Sequence, residues 1–145
     1  MKYLFLLFCA FNIGKSAAQT AEQRITAQFD SVGYKKVKMQ YAKIAEGKSM
    51  FNLYDFSKAY SYKIVAFSEE TGVLDTDLFL FTENDSLLLK DSDPDPISLL
   101  TFEPANDTKI KIVVNNYNSE VSGHDYACKY AIFARKKREE GKSKN

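Results

Sequence analysis

A β-sandwich preceded by a short helical lead-in is the fold class that this 145-residue sequence predicts. Three observations carry the prediction. Beyond Gly47, apolar residues recur at every second position in short runs, the period of a strand whose side chains alternate between two faces. Clusters of Gly, Asn, Asp, Ser and Pro separate the runs, and these are the residues that turns require. No helix-length pattern lies between the runs, so the strands pair antiparallel and the sheets pack on each other.

The elements follow in chain order. The opening MKYLFLLFCAFNIGKSAAQT has Lys2, an apolar run from Tyr3 to Phe11, and small residues at Ser16 and Ala18. This is the pattern of a secretory signal peptide over residues 1–18, cleaved near Ala18. The apolar run is about half of what a membrane-spanning helix needs. A secreted or periplasmic chain with no transmembrane segment after cleavage is therefore expected. Cys9 follows the bulky Phe8, which does not suit lipid attachment.

Ile25, Phe29 and Val32 are spaced i, i+4, i+7, which predicts a short amphipathic helix that Gly33 ends. The next segment, YKKVKMQYAKIAEGK, fits two patterns. Val37, Tyr41, Ile44 and Ala45 suit a helix, whereas Val37, Met39 and Tyr41 alternate as a strand does. Residues 19–46 are read as a helical or extended lead-in, and the sandwich as residues 47–134.

Within the sandwich the predicted strands are SMFNLYDF, YSYKIVAF, DTDLFLFT, SLLLKD, ISLLTF, TKIKIVVNN and HDYACKYAIFAR, a count of six or seven. YSYKIVAF is apolar on both parities and is expected to have both faces covered. Ile110, Ile112 and Val114 against Lys109 and Lys111 give one dry and one wet face. The last segment, RKKREEGKSKN over residues 135–145, is read as a basic, solvated tail.

Cleavage near Ala18 removes Lys2 and Lys15 and no acid, leaving 18 basic against 19 acidic groups. A net charge of −1 gives no electrostatic reason to bind nucleic acid. One cysteine, Cys128, then remains, so no internal disulfide can form. It shares parity with Tyr126, Tyr130 and Ile132 and reads as a small buried hydrophobe.

Nucleophilic catalysis needs a base that titrates near neutrality, and His124 is the only histidine. It sits in the turn-like SEVSGHDYA, and no G-x-S-x-G elbow or glycine-rich phosphate loop accompanies it. Zinc would need paired His and Cys ligands. No catalytic residue is assigned, and the chain is read as a non-enzyme.

Calcium is the cofactor that the acidic stretch LDTDLFLFTENDSLLLKDSDPDP suggests, with Asp75, Asp77 and Asp91 as its ligand set and Asp93 and Asp95 close by. DSDPDP is not an EF-hand loop: position six from Asp91 is Pro96 and position twelve is Phe102. It reads as a rigid connection. Among the aromatic residues, Tyr60, Tyr62 and Tyr117 are the candidates for a ligand-binding face.

The run of residues 47–134 resembles the bacterial pre-peptidase C-terminal domain, a jelly-roll-like β-sandwich family that includes the collagen-binding modules of secreted collagenases. The resemblance is carried by the turn glycine Gly47, Y-x-I-x-A at Tyr62 to Ala66, and D-x-D-L-x-L at Asp75, Asp77, Leu78 and Leu80. It continues through the polar turn at Glu83 to Ser86, Asp91 closing a strand, F-x-P at Phe102 to Pro104, and I-x-I-x-V at Ile110 to Val114. The family's G-x-Y before that last strand is replaced here by N-D-T-K-I. The resemblance implies a non-catalytic module that binds extracellular protein or glycan, or serves a secreted peptidase in trans, and it implies calcium at acidic loops. Two other readings stand beside it: a secreted hydrolase that uses the acidic cluster, and a structural envelope protein.

Overall fold

The computed structural model describes residues 18–138, so most of the expected signal peptide and residues 139–145 lie outside the described part. Helix α1 spans Ala21–Ser31, and eight strands follow: β1 (Lys35–Ile44), β2 (Lys48–Phe56), β3 (Tyr60–Ser68), β4 (Val73–Thr82), β5 (Leu87–Asp91), β6 (Ser98–Phe102), β7 (Thr108–Ser119) and β8 (Tyr126–Lys136). Two four-stranded antiparallel sheets pack face to face. Sheet A has the order β1-β8-β3-β6 and sheet B the order β2-β7-β4-β5. In both sheets the paired strands include those whose numbers sum to nine, which is the jelly-roll order. Only β4 and β5 are joined as a hairpin within one sheet; the other connections cross between sheets.

The segment that fitted two patterns is strand β1. It pairs with β8 from Lys35↔Ala134 to Ile44↔Tyr126, so the sandwich begins at Lys35 rather than at Gly47. β1 is an edge strand, and most of its residues are exposed or half-buried, which is why its apolar period is blurred. The far boundary also moves. Arg135 and Lys136 belong to β8, because they pair with Ser61 and Tyr60.

Between the sheets lies the main core, with Tyr62, Ile64, Ala66, Cys128, Tyr130 and Ile132 from sheet A facing Leu78, Leu80, Ile110, Ile112 and Val114 from sheet B. For β7 and β8 these are the inward parities that the period-two pattern gave. A second apolar layer lies outside sheet A, where Ile25 and Phe29 of α1 pack on Val65, Phe67, Ala131 and Phe133. It explains why β3 is apolar on both parities. Val32, expected on the same helix face, is 53% exposed, since the helix has already ended there in a cap.

Helix α1 is fixed at both ends. Thr20 and Gln23 form a reciprocal capping box. The Glu69 carboxylate accepts the N–H groups of Ala21 and Glu22 at 2.8 and 2.9 Å, an anion at the positive end of the helix dipole. At the other end, Gly33 has φ +85° and the Val32 carbonyl accepts from Arg135 at 3.1 Å.

Candidate functional site

The two outer faces of the sandwich differ. Sheet A is covered by α1, and among the described residues nothing covers sheet B. The register of sheet B places one cross-strand row as Phe51, Val113, Phe79 and Lys90, and the next as Leu53, Lys111, Phe81 and Leu87. On β2, β4 and β7 these are on the parity opposite to the buried Met50, Leu78, Leu80, Ile112 and Val114, and a register shift after Leu80 sets exposed Leu87 of β5 opposite Phe81. Phe51 is 67% exposed, Leu53 57% and Leu87 50%. Lys111 does not break the stripe. Its ammonium lies 5.7 Å from the Phe51 ring centre and 5.5 Å from that of Phe81, and it pairs with Asp85 on the β4–β5 hairpin. The stem therefore adds apolar cover between two rings while its charge is answered at the edge. Tyr117 shares the outward parity of β7 and is 61% exposed.

This apolar face was missed in the sequence, although a signal was present. Leu78, Phe79, Leu80 and Phe81 are apolar on both parities of one strand. A two-layer sandwich can bury only one of them in its core. The surplus parity of β4, like Phe51 and Leu53 of β2, therefore had to face something else.

The tyrosine candidates are not brought together. Tyr60 and Tyr62 lie on β3 of sheet A with ring centres 6.2 Å apart, whereas Tyr117 is on sheet B. Tyr62 is a core residue, 3% exposed, set edge-on to Phe56 at 4.7 Å. Its hydroxyl accepts the Ser57 N–H at 2.9 Å. That corrects its expected place on a binding face: its parity is that of Ile64 and Ala66, which point between the sheets.

Asp75 and Asp77 are both buried on β4, where the pairing with β7 is irregular around Asp75. Burial pushes the Asp75 carboxyl above its ordinary range. The charges of Asp95 and Asp91 add to this, and the Asp95 backbone N–H opposes it. Asp77 is also raised, by burial first and then by Asp75 and Asp91, with Lys90 opposing. Asp75 Oδ1, Thr76 Oγ1 and Asn115 Oδ1 are buried without hydrogen-bond partners. Asp91 is differently placed: Oδ1 accepts the Asp93 N–H at 3.2 Å and Oδ2 the Leu99 N–H at 2.8 Å. It ties the DSDPDP connection to β6.

Calcium takes about six to eight oxygen ligands. Among the described residues no three carboxylate, imidazole or thiol side chains are grouped to hold a metal ion, and both oxygens of Asp91 are engaged by backbone. Asp75, Asp77 and Asp91 are thus not gathered into one carboxylate group.

Compared with known proteins, the chain matches no protein-family model and no curated sequence. Its chemistry must be read from its own residues. His124 lies in the β7–β8 connection, exposed, with its ring edge-on to Tyr126 at 4.6 Å. Cys128 is fully buried, and burial pushes its thiol up to about 11, which disfavours the reactive thiolate. Among the described residues, no helix is long and apolar enough to cross a membrane.

The charges are also sorted by position. The connections 45–47, 69–72, 92–97 and 120–125 share one end of the sandwich and carry seven carboxylates with no Lys or Arg. At the opposite end, β8 runs out through Arg135, Lys136, Lys137 and Arg138. Several of the acids have structural duties. Glu69 caps α1, and Glu46 accepts the Ser119 N–H at 2.9 Å.

Proposed function

We propose that this protein is a secreted or periplasmic, non-catalytic binding module of the kind its sequence resembles, the pre-peptidase C-terminal domain, and that it docks extracellular protein on the outer face of sheet B. The observation that carries the reading is the unequal covering of the two sheets. One sheet spends a helix on its apolar outer side, and the other leaves Phe51, Leu53 and Leu87 in water beside Phe79, Phe81 and Val113. Exposed apolar patches of this kind mark interaction surfaces.

The composition of the face favours a protein partner. Sugar recognition needs hydrogen-bonding groups set around an aromatic platform, and the two central rows offer two polar side chains, Lys90 and Lys111. A secreted peptidase served in trans falls within this class of partner. The burial of Cys128, which holds its thiol protonated, is in keeping with a role without turnover.

The test is binding to immobilised collagen, gelatin and casein by the purified protein and by Phe51→Asp. Phe51 is exposed, so the substitution should leave the melting temperature within about 2 °C of wild type, in keeping with the small effects of surface changes. Binding to at least one protein surface should fall at least tenfold, a loss of about 1.4 kcal/mol. Unchanged binding by the variant would remove the sheet B face from the reading. Hydrolysis of any of these proteins would remove its non-catalytic part.

A further inference from the structure

A second surface stands apart from the sheet B face. On the outer side of sheet A, beyond the end of α1, a cleft of about 570 Å³ is lined by Val32, Gly33, Ser61, Glu103 and the four consecutive cations Arg135, Lys136, Lys137 and Arg138. We infer that this cleft binds the carboxylate of an acidic glycan, with the cations taking the anion and Glu103 accepting a sugar hydroxyl.

The cations are held in place. The Arg135 guanidinium lies over the Tyr34 ring at 4.5 Å and donates to the Val32 carbonyl at 3.1 Å. Those contacts use the ring face and one nitrogen, leaving other N–H donors of a planar fork that suits carboxylate. Lys137 is anchored through its backbone N–H to Ala59 O at 2.9 Å and through Nζ to Pro104 O at 3.2 Å. Its ammonium keeps two further donors. Lys136 and Arg138 have no ion pair among the described residues.

Glu103 sets the class of ligand. Buried Ser61 donates to Glu103 Oε1 at 2.9 Å and lies 2.9 Å from the Tyr34 hydroxyl. A hydroxyl has one proton, so Tyr34 donates to Ser61 and Ser61 donates to Glu103. This chain leaves Glu103 Oε2 as an acceptor among four cations. A site built only to attract polyanions gains nothing from a carboxylate, whereas an acidic sugar presents both an anion and hydroxyl donors. The cleft is recessed and lies at the end of one sheet, which suits a sugar ring better than a flat anionic membrane.

The inference goes beyond the protein-docking reading and does not rest on it, because the two surfaces lie on opposite sides of the sandwich. The test is calorimetric titration of the full purified protein with oligogalacturonate at about 0.15 M salt, where exposed charges are screened beyond about 8 Å. Neutral dextran, dextran sulfate and phosphatidylglycerol vesicles serve as comparison probes. Oligogalacturonate should bind and neutral dextran should not, Phe51→Asp should bind as wild type, and the double variant Lys136→Ala/Arg138→Ala should lose at least tenfold. Glu103→Ala is the deciding variant: it should weaken oligogalacturonate binding several-fold although it removes a negative charge. Tighter binding by Glu103→Ala, or equal binding of dextran sulfate and vesicles, would overturn the inference in favour of general polyanion attraction. Absence of oligogalacturonate binding would overturn it outright.

Discussion

Asp75 and Asp77 sit where a carboxylate is costly to ionise. Each has a folded pKa raised above its ordinary value of 3.8, by burial first. A carboxyl of this kind holds its proton more tightly when folded. Its contribution to stability is whole below pH 3.8 and is lost as pH rises through the raised value. Asp77→Asn should therefore melt at a higher temperature than wild type at pH 7, and the gain should shrink as pH falls towards 3.8. Thermal melts across pH 4 to 8 check this; a gain independent of pH would mean that charge burial is not the cause. Gly72 makes a steric prediction. A Cβ there would lie 2.5 Å from Tyr126 Cε1 and 2.9 Å from its hydroxyl. That ring is buried and its hydroxyl is fixed by the Val121 N–H at 3.2 Å, so it cannot swing aside. Gly72→Ala should cost about 1–3 kcal/mol by overpacking, seen as a lower denaturant midpoint. Cys128 should label with a thiol reagent only at the rate of unfolding, since its sulfur is both buried and held protonated.

At the scale of elements, α1 is legible in the sequence because its apolar spacing and the glycine that ends it are both local, while the structure adds a capping box at Thr20. Thr20→Ala should remove the capping box and cost about 1 kcal/mol. Phe29→Ala should cost more, about 3–5 kcal/mol, because the Phe29 ring packs on Phe133 at 4.9 Å. Both are read by chemical denaturation. Strand β1 was less legible. Val37 and Tyr41 could be counted on either period, and what decided the matter was hydrogen bonding to β8, more than eighty residues away in the chain. The hairpin at 83–86 was legible for the opposite reason, as its turn is local: Asp85 takes φ 61° and its N–H donates to Thr82 O at 3.0 Å. The apolar sheet B face was half-legible. The doubled apolar parity of Leu78 to Phe81 is plain, and only the placing of α1 on the other sheet leaves that parity uncovered.

At the scale of the whole molecule, six of the seven strand connections cross between sheets. Neighbouring strands such as β1 and β8, or β2 and β7, are far apart in sequence, so loop closure comes before most native contacts can form. Refolding from denaturant should accordingly take milliseconds to seconds, as in other β-sandwiches rich in distant pairings, and stopped-flow fluorescence of the tyrosines would measure it. The same crossings gather the connections at two ends. One collects acidic loops, and the other collects the cations at the end of β8 around Glu103.

The sequence by itself determined the β-sandwich class, the inward parity of β7 and β8, a helix ended by Gly33 and the burial of Cys128, because each is written in a local period or a local turn residue. Only the tertiary structure decided that β1 is a strand, that the Tyr62 ring lies between the sheets, that Asp91 accepts the N–H groups of Asp93 and Leu99, and that sheet B keeps an apolar face. Those outcomes depend on which distant strand lies alongside and on which outer face the single helix covers. Pairing and covering are contacts between remote residues, and no local pattern of side chains specifies them.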